Sequence, residues 1–177
     1  MKKISLLFII WGMQFFAGQD VLAVNGGRFE NVHRFGGGIH YWKSLEDIII
    51  EGVDEEGLAL LLSYQYQVMK FFTVEGMLEF LADGYAGSDD AVFAPQVYVL
   101  VGRGIYAGAG IGWHFSGSKA ADNPFFGLRA GLDVEVVPTI FLDINVNYRS
   151  ETWGFGKIHE DIQLNTMTLG AILRFEF

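Results

Sequence analysis

The C-terminal segment from Thr166 to Phe177 alternates between apolar and polar residues with a period of two. Because successive side chains of a β-strand point to opposite faces, this pattern predicts a strand with one apolar and one polar face. The apolar face carries Met167, Leu169, Ala171, Leu173, Phe175 and Phe177. The other face is small, polar or charged and includes Arg174 and Glu176. Such a strand separates two different environments.

The same alternation recurs along the chain and predicts eight strands, close to the 9–11 residues of a tilted strand that crosses a membrane. The period is weakest in the glycine-rich first strand and in the fourth strand, which contains Pro95. The predicted strands are 33–42, 58–67, 71–81, 91–101, 104–115, 125–136, 139–149 and 163–177. At 177 residues, the chain is expected to form a single domain.

The predicted connections alternate between short and long. The short ones are 68–70, 102–103 and 137–138, and the long ones are 43–57, 82–90, 116–124 and 150–162. Short turns at one end and long loops at the other are typical of an up-and-down antiparallel barrel. The sequence therefore predicts an all-β, eight-stranded antiparallel up-and-down transmembrane β-barrel.

Alternation alone leaves open a soluble lipocalin-like barrel with its apolar face inside. Aromatic residues on the apolar face favour a membrane, because they cluster at both ends of the strands as two interfacial belts. The loop-side belt is Tyr41, Phe80, Trp113, Phe115, Phe126 and Tyr148, and the turn-side belt is Tyr64, Tyr66, Phe72, Phe175 and Phe177. A closed barrel also satisfies every backbone hydrogen bond within hydrocarbon.

The N-terminus predicts a secretory signal peptide over residues 1–23. Lys2 and Lys3 precede the apolar run 4–16, and Val21-Leu22-Ala23 fits a cleavage site after Ala23. The mature barrel domain would then be 24–177. The alternative is an uncleaved anchor, but the apolar run is shorter than the roughly 20 residues of a spanning helix. The expected location is a bacterial outer membrane.

The composition excludes several kinds of functional site and partner. There are no cysteines, which excludes disulfides, thiolate metal sites and a cysteine nucleophile. The net charge of −9 makes nucleic acid an unsuitable partner. Histidines 33, 40 and 159 lack the spacing of metal ligands. We therefore predict no metal and no cofactor.

The chain resembles the small eight-stranded outer-membrane barrels, the group that includes the OmpA transmembrane domain, OmpX and OmpW-like proteins. The resemblance spans 32–177 and depends on the segments 107–113 (AGAGIGW), 126–132 (FGLRAGL) and 169–177 (LGAILRFEF). It implies the fold rather than an activity. It also implies that the terminal strand, with Leu173, Phe175 and Phe177, is the signal read by the barrel-assembly machinery.

Strand parity predicts a set of charged residues on the inward face. A charge inside so narrow a barrel is costly unless it is paired, and arginine is best able to hold several carboxylates. The predicted interior network is Arg34, Glu75, Glu79, Arg129, Asp133, Glu135, Asp143, Arg149, Arg174 and Glu176. We interpret it as a structural plug of ion pairs, and the alternative is a narrow polar path.

Two features suggest other uses of the interior. Inward glycines at 108, 110 and 112 leave space, either for arginine and tyrosine side chains from across the barrel or for a small ligand. His114 and Ser116 form the single His-x-Ser motif, the pair with which barrel lipid A deacylases activate a serine. A chance occurrence accounts for this motif, and we predict no catalytic residues and no enzyme activity.

The long loops are acidic, and we expect them to be the interacting surface. The predicted function is a structural or surface-interaction role through these loops. A narrow channel like those of OmpW-type barrels is the alternative, and a lipid-modifying enzyme is a distant third. The expected partners are outer-membrane lipid, lipopolysaccharide and a surface partner bound by the loops.

Overall fold

The structure is a computed structural model that describes residues 32–46, 53–117, 119–153 and 162–177. The predicted signal peptide and its cleavage site lie outside these residues, as do residues 47–52 of the first long loop, 118 of the third and 154–161 of the last. Among the described residues, no helix is long and apolar enough to cross a membrane.

The described chain is almost entirely β-structure, with one 3-10 turn at Tyr85–Gly87. The strands are β1 (Val32–Ser44), β2 (Glu56–Met69), β3 (Phe72–Leu81), β4 (Val92–Arg103), β5 (Ile105–Gly112), β6 (Phe115–Ser116), β7 (Lys119–Ala120), β8 (Phe125–Val137), β9 (Ile140–Trp153) and β10 (Ile162–Glu176). The two short strands β6 and β7 form a hairpin within the third long loop.

The eight long strands close into a barrel. Each pairs antiparallel with its neighbours in the order β1-β2-β3-β4-β5-β8-β9-β10, and β10 pairs back onto β1 from Glu176↔Arg34 to Thr166↔Ser44. At the end of this seam, the backbone N–H of Phe177 donates to the His33 carbonyl at 2.9 Å. Closure leaves no free edge along the eight described long strands, so the prediction of an eight-stranded antiparallel barrel is confirmed.

Pro95 explains the one break in the predicted strand 104–115. β4 pairs with β5 up to Gln96↔Gly112 and resumes with β6 at Phe93↔Phe115. Both pairs belong to one register, which is interrupted at Pro95 because proline has no N–H to donate. The Trp113 N–H still donates to the Pro95 carbonyl at 3.1 Å.

The two faces of the barrel are polar inside and apolar outside. Leu58 and Leu60 are each 65% exposed on the outer face, whereas Glu75 and Arg174 are fully buried inside. A soluble barrel with an apolar interior does not fit this arrangement. The interior also contains two apolar clusters, one around Trp42, Tyr85 and Phe125 at the loop end and one around Leu61, Tyr98 and Ile172.

The inward glycines of β5 accommodate side chains of the adjacent strands. A Cβ added at Gly108 would lie 2.6 Å from Leu100, one at Gly110 would lie 2.5 Å from the Tyr98 ring, and one at Gly112 would overlap Phe125. A tyrosine, Tyr98, does fill part of this space as expected, but the neighbours belong to the adjacent strands β4 and β8, so the expectation that they come from across the barrel is wrong. The paired strand supplies the nearest side chain to the space that a glycine leaves.

We expect Gly110→Ala to lower the free energy of unfolding by about 1–3 kcal/mol, because overpacking displaces neighbouring groups. The new methyl would lie 2.5 Å from both the Tyr98 ring and the Val97 carbonyl oxygen. Gly76→Ala is the matched control, since its methyl meets nothing within 4 Å. Urea unfolding in lipid vesicles measures both, and equal losses would contradict this account.

Candidate functional site

The centre of the barrel holds a ring of two carboxylates and two arginines, which we call the central ring. Arg129 binds Glu75 at 2.9 Å and Asp143 at 3.3 Å, while Arg174 binds Glu75 at 2.5 Å and Asp143 at 2.9 Å. All four side chains are completely buried. The ring is formally neutral, because each carboxylate lies between two guanidinium groups.

Neighbouring hydroxyls complete the hydrogen bonding of the central ring. Ser63 donates to Glu75 at 2.5 Å, and Tyr106 donates to Asp143 at 2.6 Å. The same hydroxyls accept from the Nε atoms of the arginines, at 2.9 Å for Ser63 and 3.0 Å for Tyr106. Because these buried polar groups are paired, the ring stabilises a unique arrangement of six strands.

A second set of charges, the turn-end group, lies towards the short turns. Arg34 binds Asp133 at 2.6 Å and Glu176 at 2.9 Å, and its guanidinium carbon lies 3.5 Å from the centre of the Phe141 ring. The side chains of Arg34, Asp133 and Glu176 are 14–32% exposed. Arg174 of the central ring reaches Asp133 at 3.8 Å, so the two sets are continuous.

A third set, the Glu79 group, lies on the loop side of the central ring. The Glu79 carboxylate accepts hydrogen bonds from His40 at 2.8 Å, from Gln96 at 2.9 Å and from Arg149. The side chains of Glu79, His40 and Arg149 are completely buried. Glu79 therefore joins β1, β4 and β9 to its own strand β3.

The loop-end group lies above the Glu79 group. Tyr85 donates to Glu151 at 2.6 Å, and Thr166 also donates to Glu151. The His114 ring stacks on Phe125 at 4.6 Å between centroids, and its Nε2 lies 3.4 Å from Glu151. Burial lowers the pKa of His114 and raises that of Tyr85 well above its usual range.

The structure places the predicted interior charges in these groups, with the exception of Glu135. Glu135 is exposed at the turn end of β8, where it accepts a hydrogen bond from the backbone N–H of Thr139 at 3.1 Å. The predicted place of Glu135 in the interior network was wrong although its parity was right, because Glu135 lies at the turn end of β8, beyond the filled part of the interior.

Several polar residues of the interior were absent from the predicted network. His40, Gln96 and Tyr106 share the inward parity of their strands, so the alternation that identified the charges would also have identified them. Glu151 was assigned to a loop, because β9 was predicted to end at residue 149 and instead continues to Trp153.

His114 and Ser116 are both buried, and their described hydrogen bonds go to different partners. The hydrogen-bonding partner of Ser116 is the Ser88 hydroxyl, whereas His114 faces Tyr85 and Glu151. Within the described residues, no hydrogen bond links this serine to a histidine, as an activated nucleophile requires. Among the residues that the structure describes, no group of three or more histidine, aspartate or glutamate side chains is placed to hold a metal ion.

Comparisons with known proteins concern the fold. No protein-family model matches the chain, and no curated protein matches it in sequence. The crystal structure of Neisserial surface protein A is similar, with a TM-score of 0.61 and 15% identity over 84% of this chain and 100% of that one. The outer membrane protein OprG of Pseudomonas aeruginosa has a TM-score of 0.51 and 13% identity, over 85% and 98% of the two chains. The outer membrane protein AlkL, solved in lipid bilayers, has a TM-score of 0.50 and 14% identity, over 90% and 96%.

We expect Arg129→Met to lower the free energy of unfolding by about 3–5 kcal/mol, because it leaves two buried carboxylates with one arginine. Lys43→Met is the control, since Lys43 pairs with Glu56 at 3.2 Å on the exposed outer surface and should hardly change stability. Urea titration in vesicles measures both variants. Similar stability of Arg129→Met and the parent would contradict a plug held by ion pairs.

A pH dependence follows from His114. Its pKa is lowered in the folded barrel, so the unfolded chain takes up a proton near pH 6.5 while the folded one does not. Stability is therefore lost as the pH falls below about 6.5, by at most about 1.4 kcal/mol per pH unit. His114→Gln should remove this part of the dependence, and parallel pH profiles for the two proteins would contradict it.

Proposed function

We propose that this chain, which has the fold of the small eight-stranded outer-membrane β-barrels, is a closed barrel of a bacterial outer membrane. Its role would be structural or in surface interaction, and the loop end would be the surface that binds partners. The single observation that carries this proposal is the complete burial of the charged side chains in the central ring and the Glu79 group.

Complete burial argues against a permanently open pore. A continuous water-filled path along the barrel axis would wet the side chains beside it. Glu75, Glu79, Arg149 and Arg174 are instead fully buried. The alternative function, a narrow channel, would require these ion pairs to separate, and separating buried charges is costly.

The outer surface supports a membrane location and lipid as a partner. Large apolar side chains cover it, with Leu128 and Phe126 each 60% exposed. Contiguous apolar surface of this kind is unfavourable in water and favourable in hydrocarbon. Outer-membrane lipid and lipopolysaccharide are the molecules that we propose to cover it.

The loop end supports a role in surface interaction. Its described residues expose more acidic than basic side chains, with Lys43 and Lys119 as the exposed lysines. The exposed acids are Asp54, Glu56, Asp83, Asp89, Asp90 and Asp122. A basic partner, or lipopolysaccharide bridged by divalent cations, is the chemistry that complements this surface.

The terminal strand supports recognition by the barrel-assembly machinery. Leu173, Phe175 and Phe177 point outward and are 45%, 53% and 74% exposed. The Phe177 ring stacks on His33 of β1, with 6.0 Å between the centroids. An assembly factor that bound these outward side chains would hold the strand that closes the barrel.

Single-channel conductance in a planar bilayer tests the closed barrel. The refolded mature protein is first shown to be folded by a heat-modifiability gel, and a porin in the same bilayer shows that conductance steps are detectable. We expect no steps above the baseline of a protein-free bilayer. Discrete, reproducible steps would reject the closed interior and favour the channel.

A further inference from the structure

Tyr85 belongs to the second long loop but lies inside the mouth of the barrel. It begins the 3-10 turn Tyr85–Gly87, and its side chain is completely buried. Its ring meets Trp42 edge-on at 4.8 Å and His114 at 5.2 Å between centroids. Its hydroxyl donates to the buried carboxylate of Glu151 at 2.6 Å. These are the contacts of a ligand in a pocket, where an aromatic ring lies between apolar walls and one polar group fixes its orientation.

The residues around the Tyr85 ring are held by the barrel. Trp42 lies on β1, Phe125 on β8 and Glu151 on β9. Each of these residues is paired with a neighbouring strand, Trp42 and Glu151 with β10 and Phe125 with β5. The walls of the site therefore stand on rigid strands, whereas the side chain that fills it comes from a loop.

The turn that carries Tyr85 is hydrogen-bonded to itself. The Gly84 N–H donates to the Ser88 carbonyl at 2.9 Å, and the Ser88 N–H donates to the Tyr85 carbonyl at 3.0 Å. The Asp54 N–H, which donates to the Gly84 carbonyl at 3.2 Å, and a contact between the hydroxyls of Ser88 and Ser116 join this turn to the rest of the barrel. Internal bonds of this kind keep the turn intact when it moves.

Glycines lie at both ends of the segment that would have to move. Gly84 and Gly87 have φ values of 91° and 72°, in the left-handed region that glycine adopts without strain. Loops that open and close do so at a few residues that absorb the change in φ and ψ. These two glycines therefore give the turn its hinges.

The Glu151 carboxylate determines what can take the place of Tyr85. It is completely buried, and its described partners are the hydroxyls of Tyr85 and Thr166 and the imidazole of His114. Because a buried carboxylate that loses a donor is destabilised, a replacement must bring a donor of its own. Burial, followed by the charge of Glu151, raises the pKa of the Tyr85 hydroxyl well above its usual range, so the neutral phenol is the form that fits.

We propose that the loop-end group forms a binding site for a small neutral phenol, and that Tyr85 occupies this site as an intramolecular ligand. A free phenol displaces the turn, places its ring between Trp42 and His114 and donates to Glu151. Because Tyr85 is tethered beside the site at a high effective concentration, the free ligand competes with it and binds only as tightly as the open fraction allows. The site lies above the Glu79 group, so its occupation does not require the barrel to conduct.

Nuclear magnetic resonance of the refolded mature protein in lipid nanodiscs tests this site with p-cresol, which is the tyrosine side chain as a free molecule. We expect saturable shifts of the Trp42 and Glu151 amide signals, and faster hydrogen exchange of the Asp54 amide as it loses its contact with Gly84. Leu128, on the apolar outer face, is the control for p-cresol dissolved in the lipid. The proposal is overturned if no saturable shift occurs up to the solubility limit of p-cresol, or if Asp54 stays protected when p-cresol binds.

Toluene separates the hydrogen bond to Glu151 from simple filling of the space. It has the same ring and methyl group as p-cresol but no hydroxyl. We expect it to bind at least about tenfold more weakly, because a hydrogen bond to a charged group is lost. Equal affinities for toluene and p-cresol would reject a site that selects a phenol.

Two variants test whether the ligand competes with Tyr85. Tyr85→Phe removes the donor of the intramolecular ligand, and Tyr85→Ala also removes its ring, so the affinity for p-cresol should rise from the parent to Tyr85→Phe and again to Tyr85→Ala. The first step should be about tenfold. A heat-modifiability gel first shows that each variant is folded, and the nearly isosteric Tyr85→Phe decides the comparison if Tyr85→Ala does not fold. Equal affinity in the parent and Tyr85→Phe would mean that p-cresol binds elsewhere, contrary to the proposal.

Discussion

The structure depends on the pairing of buried arginines and carboxylates across the barrel. Glu75 lies on β3, Arg129 on β8, Asp143 on β9 and Arg174 on β10, so the central ring joins strands that are far apart in the sequence. Each ion would be costly alone in the interior. Because both arginines of the central ring contact both of its carboxylates, loss of any member leaves the others underpaired, and the ring is stable only as a set.

The packing around the charges follows from the narrowness of an eight-stranded barrel, whose interior is only wide enough for side chains. Tyr98 and Phe125 fit because the adjacent strands carry glycine where a Cβ would clash. Aromatic rings then fill the space beside the ions and limit access of water from the loop end. The charges need this dry surrounding for their mutual attraction to offset their desolvation.

The sequence predicted the fold well because the alternation of apolar and polar residues indicates which face of each strand points outward and which points into the barrel. The strands and the polar interior followed from parity, and the up-and-down order followed from the alternation of short and long connections. Contacts between particular residues did not follow, because they depend on how far each strand is displaced along its neighbour. Glu135 has the right parity but lies beyond the filled interior, and Glu151 reaches the interior because β9 is longer than its apolar pattern. Pro95 interrupted the pairing without changing the register.

The interior charges also determine how the chain enters a membrane. The stretch from Phe125 to Trp153 is longer than the roughly 20 residues of a spanning helix, and Arg129, Asp133 and Asp143 lie within it. Each charge at the centre of a helix costs about 2.5–3.5 kcal/mol on insertion, so a helix centred on any of them is disfavoured. As strands, the same residues face inward and pair, and the cost is met by ion pairs. The charges thus disfavour insertion as helices, and the ion pairs that offset their cost form only when the strands come together in the barrel.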